Sequence, residues 1–425
     1  MNDSQTLIID ITQLRPGMHI HLDLGWMDHP FPMNSFTIRS QEQIDIIRSL
    51  GLERVRFSPA KSDPEILQTY SQEHAPVQAA IEEESPEMTA RRLRRDLLSS
   101  QWASLQACER KYAEAGHNFR QVIETAHSRP AVSREQSESM IKGFLGEIMG
   151  EQEACIRLLS ENAGEKSSLH SINVTVISLL LGKASGLDEQ GMLDVGMGAL
   201  LHDVGKIELP GRLRWHDEHF TTSERELYQE HVAHGVTLGR KMGLSKGALL
   251  VIGQHHELAD GKGYPRHITD KQMSLPSRIV ALVNLYDNLC NPGNPALAAT
   301  PHEALAMIFA LRKSQFHAAT LSLFVRMMGV YPPGSVVQLT DDRFAMVVSV
   351  NSCRPLKPRI VIHDANIPRD EALVVDLEDE PDLGIRRSLK PLQLPKGAFD
   401  YLSPRKRICY FFERAREITP PAENT

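Results

Sequence analysis

ALLHDVGKIELP, residues Ala199–Pro210, places a histidine directly before an aspartate. His202 offers a neutral imidazole nitrogen, and Asp203 offers two carboxylate oxygens that can bridge two metal ions about 3.5–4 Å apart. Lys206 follows Asp203 by three residues and shares its face on a helix. A cation at that position can neutralise charge that develops on an anionic oxygen. Asp203 and Lys206 are therefore the candidate catalytic residues.

Further histidines lie in the apolar helical segments on both sides of this stretch. His170 lies upstream in SSLHSINV, and His255 and His256 lie downstream in GQHHELADGKGYP. His231 and His234 are one helical turn apart in YQEHVAHG, so either of them can face the same point. Helical bundles hold metal ions on inward side chains from facing helices. The set therefore predicts a metal centre inside a bundle.

Composition narrows the class of protein. The chain has 425 residues, enough for two or three domains, with 41% hydrophobic and 24% charged residues. A net charge of −7 argues against binding to a nucleic-acid polymer, which needs a basic surface. No apolar run approaches the ~18 residues of a membrane span, and the start lacks the features of a secretory signal.

Cysteine usage points to a reducing compartment. The five cysteines lie far apart and form no CxxC motif, which favours free thiols in a cytoplasm over disulfides or a zinc knuckle. They are Cys108, Cys155, Cys290, Cys353 and Cys409. A cytoplasmic location is the expectation.

The pattern along the chain predicts a multidomain, mainly α-helical protein. Residues 1–71 alternate between short strands and turns around one short helix, which indicates a small α+β domain. Residues 72–130 read as an acidic, proline-bearing linker followed by a helix. Residues 131–330 form a succession of helices, and residues 331–425 change to the period of strands, which predicts a small β-rich module.

Two local patterns sharpen this prediction. Ser133 and Gln136 have capping-box spacing, so a helix is expected to begin there, after the break at residues 128–130. Four β-branched runs predict the strands of the C-terminal module. These runs are Ser335–Leu339, Phe344–Val350, Arg359–Ile362 and Ala372–Leu377.

The order H…HDVGK…H…HH…GYP resembles the HD-GYP family, a subgroup of the HD metal-dependent phosphohydrolases. The resemblance runs from about Gly164 to Met328, and residues 5–63 resemble the uncharacterised domain that often precedes such domains. It implies a helical bundle around two or three metals, usually iron or manganese. It also implies hydrolysis of cyclic di-GMP to pGpG, GMP or both. Diguanylate cyclase-type signalling proteins become candidate partners of the GYP loop (residues 260–265), and a homodimer stays open.

The resemblance also assigns roles to single residues. The implied metal ligands are His170, His202, Asp203, His231, His255, His256, Asn284 and Asp287. His231 is preferred to His234 because Gly235 follows it by four residues, as in the family. Lys206 is implied to contact a substrate phosphate, and Gly263, Tyr264 and Pro265 are implied to contact substrate.

The chain also departs from the family pattern. Asn284 stands where the family has an aspartate ligand, and Lys166 stands where members with three metals have a glutamate, so we expect two metals, iron or manganese. Gly293 and Ala296 replace basic residues that hold substrate phosphates. Asn284, Gly293 and Ala296 favour one alternative, a weak or inactive receptor that binds cyclic di-GMP or a signalling partner. Another HD phosphohydrolase, acting on ordinary nucleotides, is a second alternative that the GYP tripeptide argues against.

Overall fold

The computed structural model of the chain describes residues 6–22, 24, 29–31, 33–52, 54–64, 66, 86–150, 154–161, 163, 166–215, 219–351, 354 and 356–414. The chain divides into two compact units, Met1–Arg91 and Arg92–Thr425. Helices dominate the second unit, so the prediction of a multidomain, mainly helical chain is confirmed. Among the helices of the described residues, none is both long enough and apolar enough to cross a bilayer.

The first unit is an antiparallel sheet with one helix. Its strands, in the order β1-β4-β2-β3, are β1 (Leu7–Asp10), β2 (His19–His21), β3 (Ser35–Thr37) and β4 (Arg54–Phe57). Helix α1 (Gln41–Ser49) begins after Ser40, whose hydroxyl accepts a hydrogen bond from the backbone N–H of Gln43. Ile20 and Phe57 alternate inward from their strands and pack in one core with the helix. The small β-containing N-terminal domain that the sequence predicted is therefore present.

One long helix, α2 (Pro86–Ala126), begins in the last residues of the first unit and continues into the second. The sequence predicted a helix after the linker within residues 72–130, and helix α2 lies in that stretch. Tyr112 and Val122 on this helix are fully buried in the core of the second unit. The acidic linker predicted before the helix falls, for residues 72–85, outside the described residues.

The helical part of the second unit continues with shorter helices joined by tight turns. They are α3 (Pro130–Ile148), α4 (Lys166–Ala184), α5 (Glu189–Leu201), α6 (Thr222–Gln229), α7 (His231–Met242), α8 (Lys246–Gln254), α9 (Leu275–Cys290), α10 (Pro301–Leu311) and α11 (Ala318–Met328). Helices α4, α5, α8 and α9 pack against one another and enclose an apolar core.

The start predicted for helix α3 was wrong. The helix begins at Pro130, whose fixed φ suits the first position of a helix, and Arg129 makes no side-chain cap. Ser133 is fully buried within the helix instead, and its hydroxyl donates to the carbonyl oxygen of Val122 at 2.8 Å. The serine therefore ties α3 to α2 rather than starting a helix.

An antiparallel sheet completes the second unit; one of its strands precedes the bundle helices in sequence and the others follow them. Its strands are β5 (Ala154–Leu158), β6 (Val336–Leu339), β7 (Phe344–Asn351), β8 (Arg359–Ile362), β9 (Val374–Asp376), β10 (Ile385–Leu389) and β11 (Tyr410–Arg414). A short helix, α12 (Lys396–Leu402), precedes β11. Strand β7 pairs with β6, β5 and β8, and β5 pairs in turn with β11. The sequence predicted β6 to β9 and missed β5, β10 and β11.

Strand β5 precedes the bundle in sequence, yet it joins the C-terminal strands in one sheet. Its Arg157 lies 3.1 Å from Glu413 of β11, and both side chains are buried. Charged residues in a short apolar run suggest a surface loop, but here the two charges neutralise each other in the interior. Ile156 and Phe411 from these strands belong to the same hydrophobic core as the bundle helices. The bundle and the sheet therefore share one core.

The turn after helix α5 lies in close backbone contact with the first turn of helix α7. A Cβ added at Gly205 would overlap the carbonyl oxygen of His231 and the backbone nitrogen of Gly235. The turn after α5 therefore touches the first turn of α7 directly, which only glycine permits at such a separation.

Candidate metal centre

His202 and Asp203 lie where helix α5 gives way to a short 3-10 helix, Val204–Glu208. Neighbours on a continuous α-helix point about 100° apart. The backbone of Asp203, at φ −98° and ψ 6°, leaves the α-helical conformation. Both side chains consequently face the bundle interior, with His202 Nε2 3.4 Å from Asp203 Oδ2.

Asp203 belongs to two groups of potential metal-binding atoms. One group joins Asp203 to His170 and His202, and the other joins Asp203 to His231, His255 and His256. Within each group the nitrogen and oxygen atoms lie within 4.8 Å of one another. The structure thus brings together six of the residues singled out from the sequence, with one carboxylate common to both groups.

The backbone fixes which nitrogen of three histidines carries the proton. Nδ1 of His202, His231 and His255 lies 2.6–2.8 Å from a carbonyl oxygen three residues earlier in the chain. A carbonyl oxygen only accepts, so Nδ1 donates and Nε2 of the neutral ring is left as an acceptor. Burial lowers the pKa of His231 to about 4 and, with the neighbouring histidines, holds that of His255 well below its usual value.

Acceptor nitrogens therefore face each other in pairs. Nε2 of His231 lies 3.3 Å from Nε2 of His255, and Nε2 of His170 lies 3.1 Å from Nε2 of His202. Two lone pairs at this separation repel unless a cation lies between them. The donor set of five imidazoles and one carboxylate is typical of sites for iron, manganese or zinc.

Two buried atoms of the cluster have no hydrogen-bond partner among the described residues, namely Asp203 Oδ1 and His256 Nε2. Asp203 Oδ1 lies 3.5 Å from Nε2 of His231 and 3.8 Å from Nε2 of His255. An unsatisfied buried polar atom costs free energy, so such atoms call for an explanation. A metal ion within the second group would satisfy both atoms, and the residues fit that group.

Lys206 lies against the shared carboxylate. Its Nζ donates to Asp203 Oδ2 at 2.6 Å, and it also lies 5.2 Å from the ring centroid of Tyr228. Burial by itself raises the pKa of the Asp203 carboxyl, but Lys206 and His202 outweigh burial and hold that pKa well below its usual range. Burial lowers the pKa of Lys206, but Asp203 and the Tyr228 hydroxyl outweigh it and raise that pKa overall. The ion pair is therefore kept charged.

Asp287 is placed beside the first group rather than within it. Its Oδ2 accepts a hydrogen bond from Nδ1 of His170 at 2.7 Å. Its Oδ1 accepts from the side-chain amides of Asn173 and Asn291 at 2.8 and 2.9 Å. Both oxygens of this fully buried carboxylate are thus already engaged. The carboxylate holds the His170 ring with Nε2 turned toward His202.

Asn284 lies one helical turn before Asn288 and is buried. Its Oδ1 accepts a hydrogen bond from the amide nitrogen of Asn288 at 2.8 Å. Among the described residues, its side-chain oxygen has no hydrogen bond to the clustered histidines or to Asp203. The side-chain oxygen of Asn284 therefore already accepts one hydrogen bond, from Asn288, and makes none to the clustered residues.

The GYP loop forms one wall of the second group. The Tyr264 ring stacks on the His256 ring, with centroids 4.5 Å apart and an interplanar angle of 19°. A Cβ at Gly263 would overlap the backbone beside His256, so glycine allows the loop to reach the paired histidines. Pro265 follows in the exposed part of the loop.

Sequence reasoning missed residues that support the site. Glu257, directly after His256, is fully buried and accepts from the backbone N–H groups of Arg266 and Ile268 at 2.7 and 3.1 Å. It thereby anchors the segment after the GYP loop. A glutamate in an apolar, histidine-rich segment was the available signal, because a buried charge needs partners.

Other candidate positions lie away from the clustered atoms. His234 is half-buried and lies 3.7 Å from Glu230, and the structure brings His231 rather than His234 to the cluster. Gly293 and Ala296 lie in an exposed loop after helix α9. Lys166 is the first residue of helix α4, and its side chain lies outside the described residues.

Two regions of the chain match known families. Residues 151–321 match the HD domain family, and residues 7–137 match a domain of unknown function, DUF3391. The chain carries an HD domain. The recognition made from the sequence, an HD-type domain behind an uncharacterised N-terminal domain, is confirmed. The match to DUF3391 extends well beyond residue 63, through helix α2 and into α3.

Three curated proteins are similar to this chain, one over most of its length and two over about a third of it. The chain is 26% identical over 376 residues to the cyclic di-GMP phosphodiesterase PA4108 of Pseudomonas aeruginosa, covering 83% of this chain and 84% of that protein. It is 30% identical to the cyclic di-GMP phosphodiesterase response regulator RpfG of Xanthomonas campestris, covering 35% and 39%. It is 29% identical to the 3'3'-cGAMP-specific phosphodiesterase 3 of Vibrio cholerae, covering 33% and 30%. The last two similarities span well under half of either protein.

Proposed function

We propose that the protein is a metal-dependent phosphodiesterase that hydrolyses cyclic di-GMP to pGpG, GMP or both. The observation that carries the proposal is the position of Asp203, whose two oxygens serve both groups of histidines. A carboxylate shared in this way is the arrangement that two-metal phosphoryl-transfer sites use. The similarity to PA4108 over most of both chains supports the choice of cyclic di-GMP.

We assign the ligands as two sets that share Asp203. His170 and His202 complete one set, and His231, His255 and His256 complete the other. Two divalent ions, iron or manganese, would lower the pKa of a bound water and polarise the phosphoryl oxygens when present. The histidines hold their neutral rings toward the centre through the hydrogen bonds of Nδ1.

Lys206 is positioned to contact a substrate phosphate and carries the positive charge that such a contact needs. Its ammonium is kept protonated beside Asp203, and the lysine side chain as a whole is 22% exposed. A phosphate oxygen that approaches Asp203 from the exposed side would meet this cation. Lys206 would then reduce the charge that builds up on that oxygen during attack, and Tyr228 would hold the ammonium in position.

The GYP loop is positioned to make a second contact with the substrate. Tyr264 covers His256 with its ring, and Gly263 lets the backbone approach the paired histidines. We propose that Gly263, Tyr264 and Pro265 border the substrate where it enters the second group. Contact of this loop with diguanylate cyclase-type signalling proteins, a homodimer and a cytoplasmic location stay predictions.

We assign Asp287 and Asn284 different parts from those expected. Asp287 is proposed to orient His170, because both of its oxygens already accept hydrogen bonds. Asn284 is proposed as a weak, neutral neighbour of the centre rather than a strong ligand, because an amide carries no charge. Two metals rather than three follow from Lys166, where a carboxylate would be needed for the third.

The direct test is a hydrolysis assay on protein purified without oxygen and loaded with iron or manganese. Cyclic di-GMP and 3'3'-cGAMP are incubated in parallel, and products are separated by chromatography. The proposal expects pGpG or GMP from cyclic di-GMP, loss of activity with a chelator, and recovery with fresh metal. Cyclic di-GMP that is bound but left intact would favour the receptor alternative, and preferred cleavage of ordinary nucleotides would favour another HD phosphohydrolase.

A further inference from the structure

Two asparagines connect the metal centre to the C-terminal part of the chain. Asn173 lies on helix α4 and is fully buried, and Asn291 follows helix α9. Their side-chain amides donate to Oδ1 of Asp287 at 2.8 and 2.9 Å. Oδ2 of Asp287 accepts the proton of His170 Nδ1 at 2.7 Å. The orientation of His170 thus depends on a carboxylate that two side-chain amides hold in place.

The same two amides hydrogen bond the backbone just before and within strand β11. Both donate to the carbonyl oxygen of Ile408, Asn173 at 2.7 Å and Asn291 at 3.0 Å. The N–H of Tyr410 donates to Asn173 Oδ1 at 2.9 Å, and the N–H of Ile408 donates to Asn291 Oδ1 at 2.8 Å. Each amide therefore uses both of its N–H groups and its oxygen.

This backbone contact fixes which way each amide faces. If either amide were flipped, its oxygen would lie against the oxygens of Asp287 and Ile408 and its NH2 group against a backbone N–H, so its three hydrogen bonds would be lost. The backbone segment is itself held, because the N–H of Leu159 donates to the carbonyl oxygen of Cys409 at 3.0 Å. Residues 408–410 are buried and so present fixed partners.

We infer that Asn173 and Asn291 are positioning residues, through which the C-terminal residues 408–410 set the metal affinity of His170. The inference rests on the metal centre proposed above. It concerns one half of that centre only. In the other half, Nδ1 of His231 and His255 donates to carbonyl oxygens of neighbouring residues in their own segments, at Tyr228 and Ile252.

The inference therefore predicts an asymmetric effect on metal binding. Loss of one asparagine leaves Asp287 with fewer donors and lets its carboxylate, and the His170 ring with it, turn away. Partners that orient a metal-binding histidine typically change metal affinity by about 10- to 100-fold. The group containing His170 should weaken by that factor, and the group containing His256 should not.

The test is a titration of the full, metal-free chain with Mn²⁺, with free Mn²⁺ counted by electron paramagnetic resonance. Asn291→Ala and Asn173→Leu are each compared with the wild type. Both should bind one Mn²⁺ as tightly as the wild type and the other about 10- to 100-fold more weakly. Equal weakening at both positions, or none, would overturn the inference.

Double variants identify the affected position. In a His170→Ala background the Asn291→Ala change should have no further effect, because that half is already lost. In a His256→Ala background it should weaken the remaining Mn²⁺ by the same factor as in the wild type. A merely structural role would lower Mn²⁺ binding in both backgrounds.

Matched controls distinguish loss of the hydrogen bonds that position His170 from a general loss of stability. Thr175→Val removes a buried hydroxyl from the same helix as Asn173 and should leave both affinities unchanged. Tyr410→Phe keeps the backbone N–H that bonds Asn173 and should also leave them unchanged. Circular dichroism confirms folding, and the half-buried Asn291 serves as the milder variant. Wild-type protein that binds no Mn²⁺ would overturn the metal centre itself, and the inference with it.

Discussion

Nε2 of His231 and Nε2 of His255 lie 3.3 Å apart, although each ring already uses its proton at Nδ1. Neutral rings in this arrangement present two lone pairs to each other, and the nearby Asp203 Oδ1 adds a carboxylate oxygen without a hydrogen-bond partner among the described residues. The interior is thus arranged for a cation, and the polar groups are preformed at the ends of separate helices.

Metal binding should stabilise the folded chain. We expect Mn²⁺ at 100 times its Kd to add about 2.7 kcal/mol per site to the free energy of unfolding, because it binds only the folded arrangement. Differential scanning fluorimetry of chelator-treated protein measures the rise in Tm. Ca²⁺ is the control, since it prefers oxygen ligands and this site offers mostly imidazole nitrogens. Equal rises with Ca²⁺ and Mn²⁺ would argue against a nitrogen-rich centre.

Gly205→Ala should destabilise the protein strongly. The added Cβ would overlap backbone atoms of His231 and Gly235, which cannot move without separating the turn from helix α7. We expect a loss of about 3 kcal/mol in the free energy of unfolding, measured by urea denaturation. Gly211→Ala is the matched control, since its added Cβ would meet no atom within 4 Å. Similar losses from both substitutions would show that the contact is unimportant.

Lys206→Met should reduce turnover without removing the metals. Loss of one preorganised donor to a developing oxyanion typically lowers kcat by about 10²- to 10³-fold. Tyr228→Phe removes only the hydroxyl beside Lys206 and should cost less. Lys241→Met, an exposed lysine on helix α7, is the control. Steady-state kinetics with metal analysis on the same samples decides the matter, and unchanged kcat in Lys206→Met would remove the assigned role.

Asn284 should contribute little as it stands. Because a neutral amide is a poor ligand for a cation, Asn284→Ala should change Mn²⁺ affinity by less than about tenfold, whereas Asn284→Asp should tighten it. Isothermal titration calorimetry with His256→Ala as the reference for a lost ligand gives the scale. An Asn284→Ala loss as large as that of His256→Ala would make Asn284 a ligand after all.

The sequence singled out the residues that cluster in the structure, but not the residues that support them. His202, Asp203 and the surrounding histidines could be found because histidine pairs are unusual in apolar helices. The role of Asp287 could not be found from the sequence, because it depends on Asn173 and Asn291. Asparagines at such spacings predict nothing by themselves. Their partners at residues 408–410 lie more than 110 positions further along the chain than Asn291.

The fold shows the same division between local and distant information. Helix α1 and the strands β6 to β9 could be predicted from the spacing of apolar residues and from capping residues nearby in the sequence. Strand β5 could not be predicted, because it pairs with strands nearly 200 to 260 residues away, and its Arg157 suggests a surface position until Glu413 is known to face it. The start of α3 was mispredicted because Pro130 and a buried Ser133 outweighed a capping pattern.

The most direct test of the shared carboxylate is Asp203→Ala. Metal content by elemental analysis and turnover of cyclic di-GMP are measured on the same samples. Circular dichroism confirms folding, and His234→Ala is the control for a histidine outside the cluster. The account predicts that Asp203→Ala loses both metals and all turnover while the apolar core keeps the fold. Asp203→Ala protein that retains two metals and near-normal turnover would contradict it.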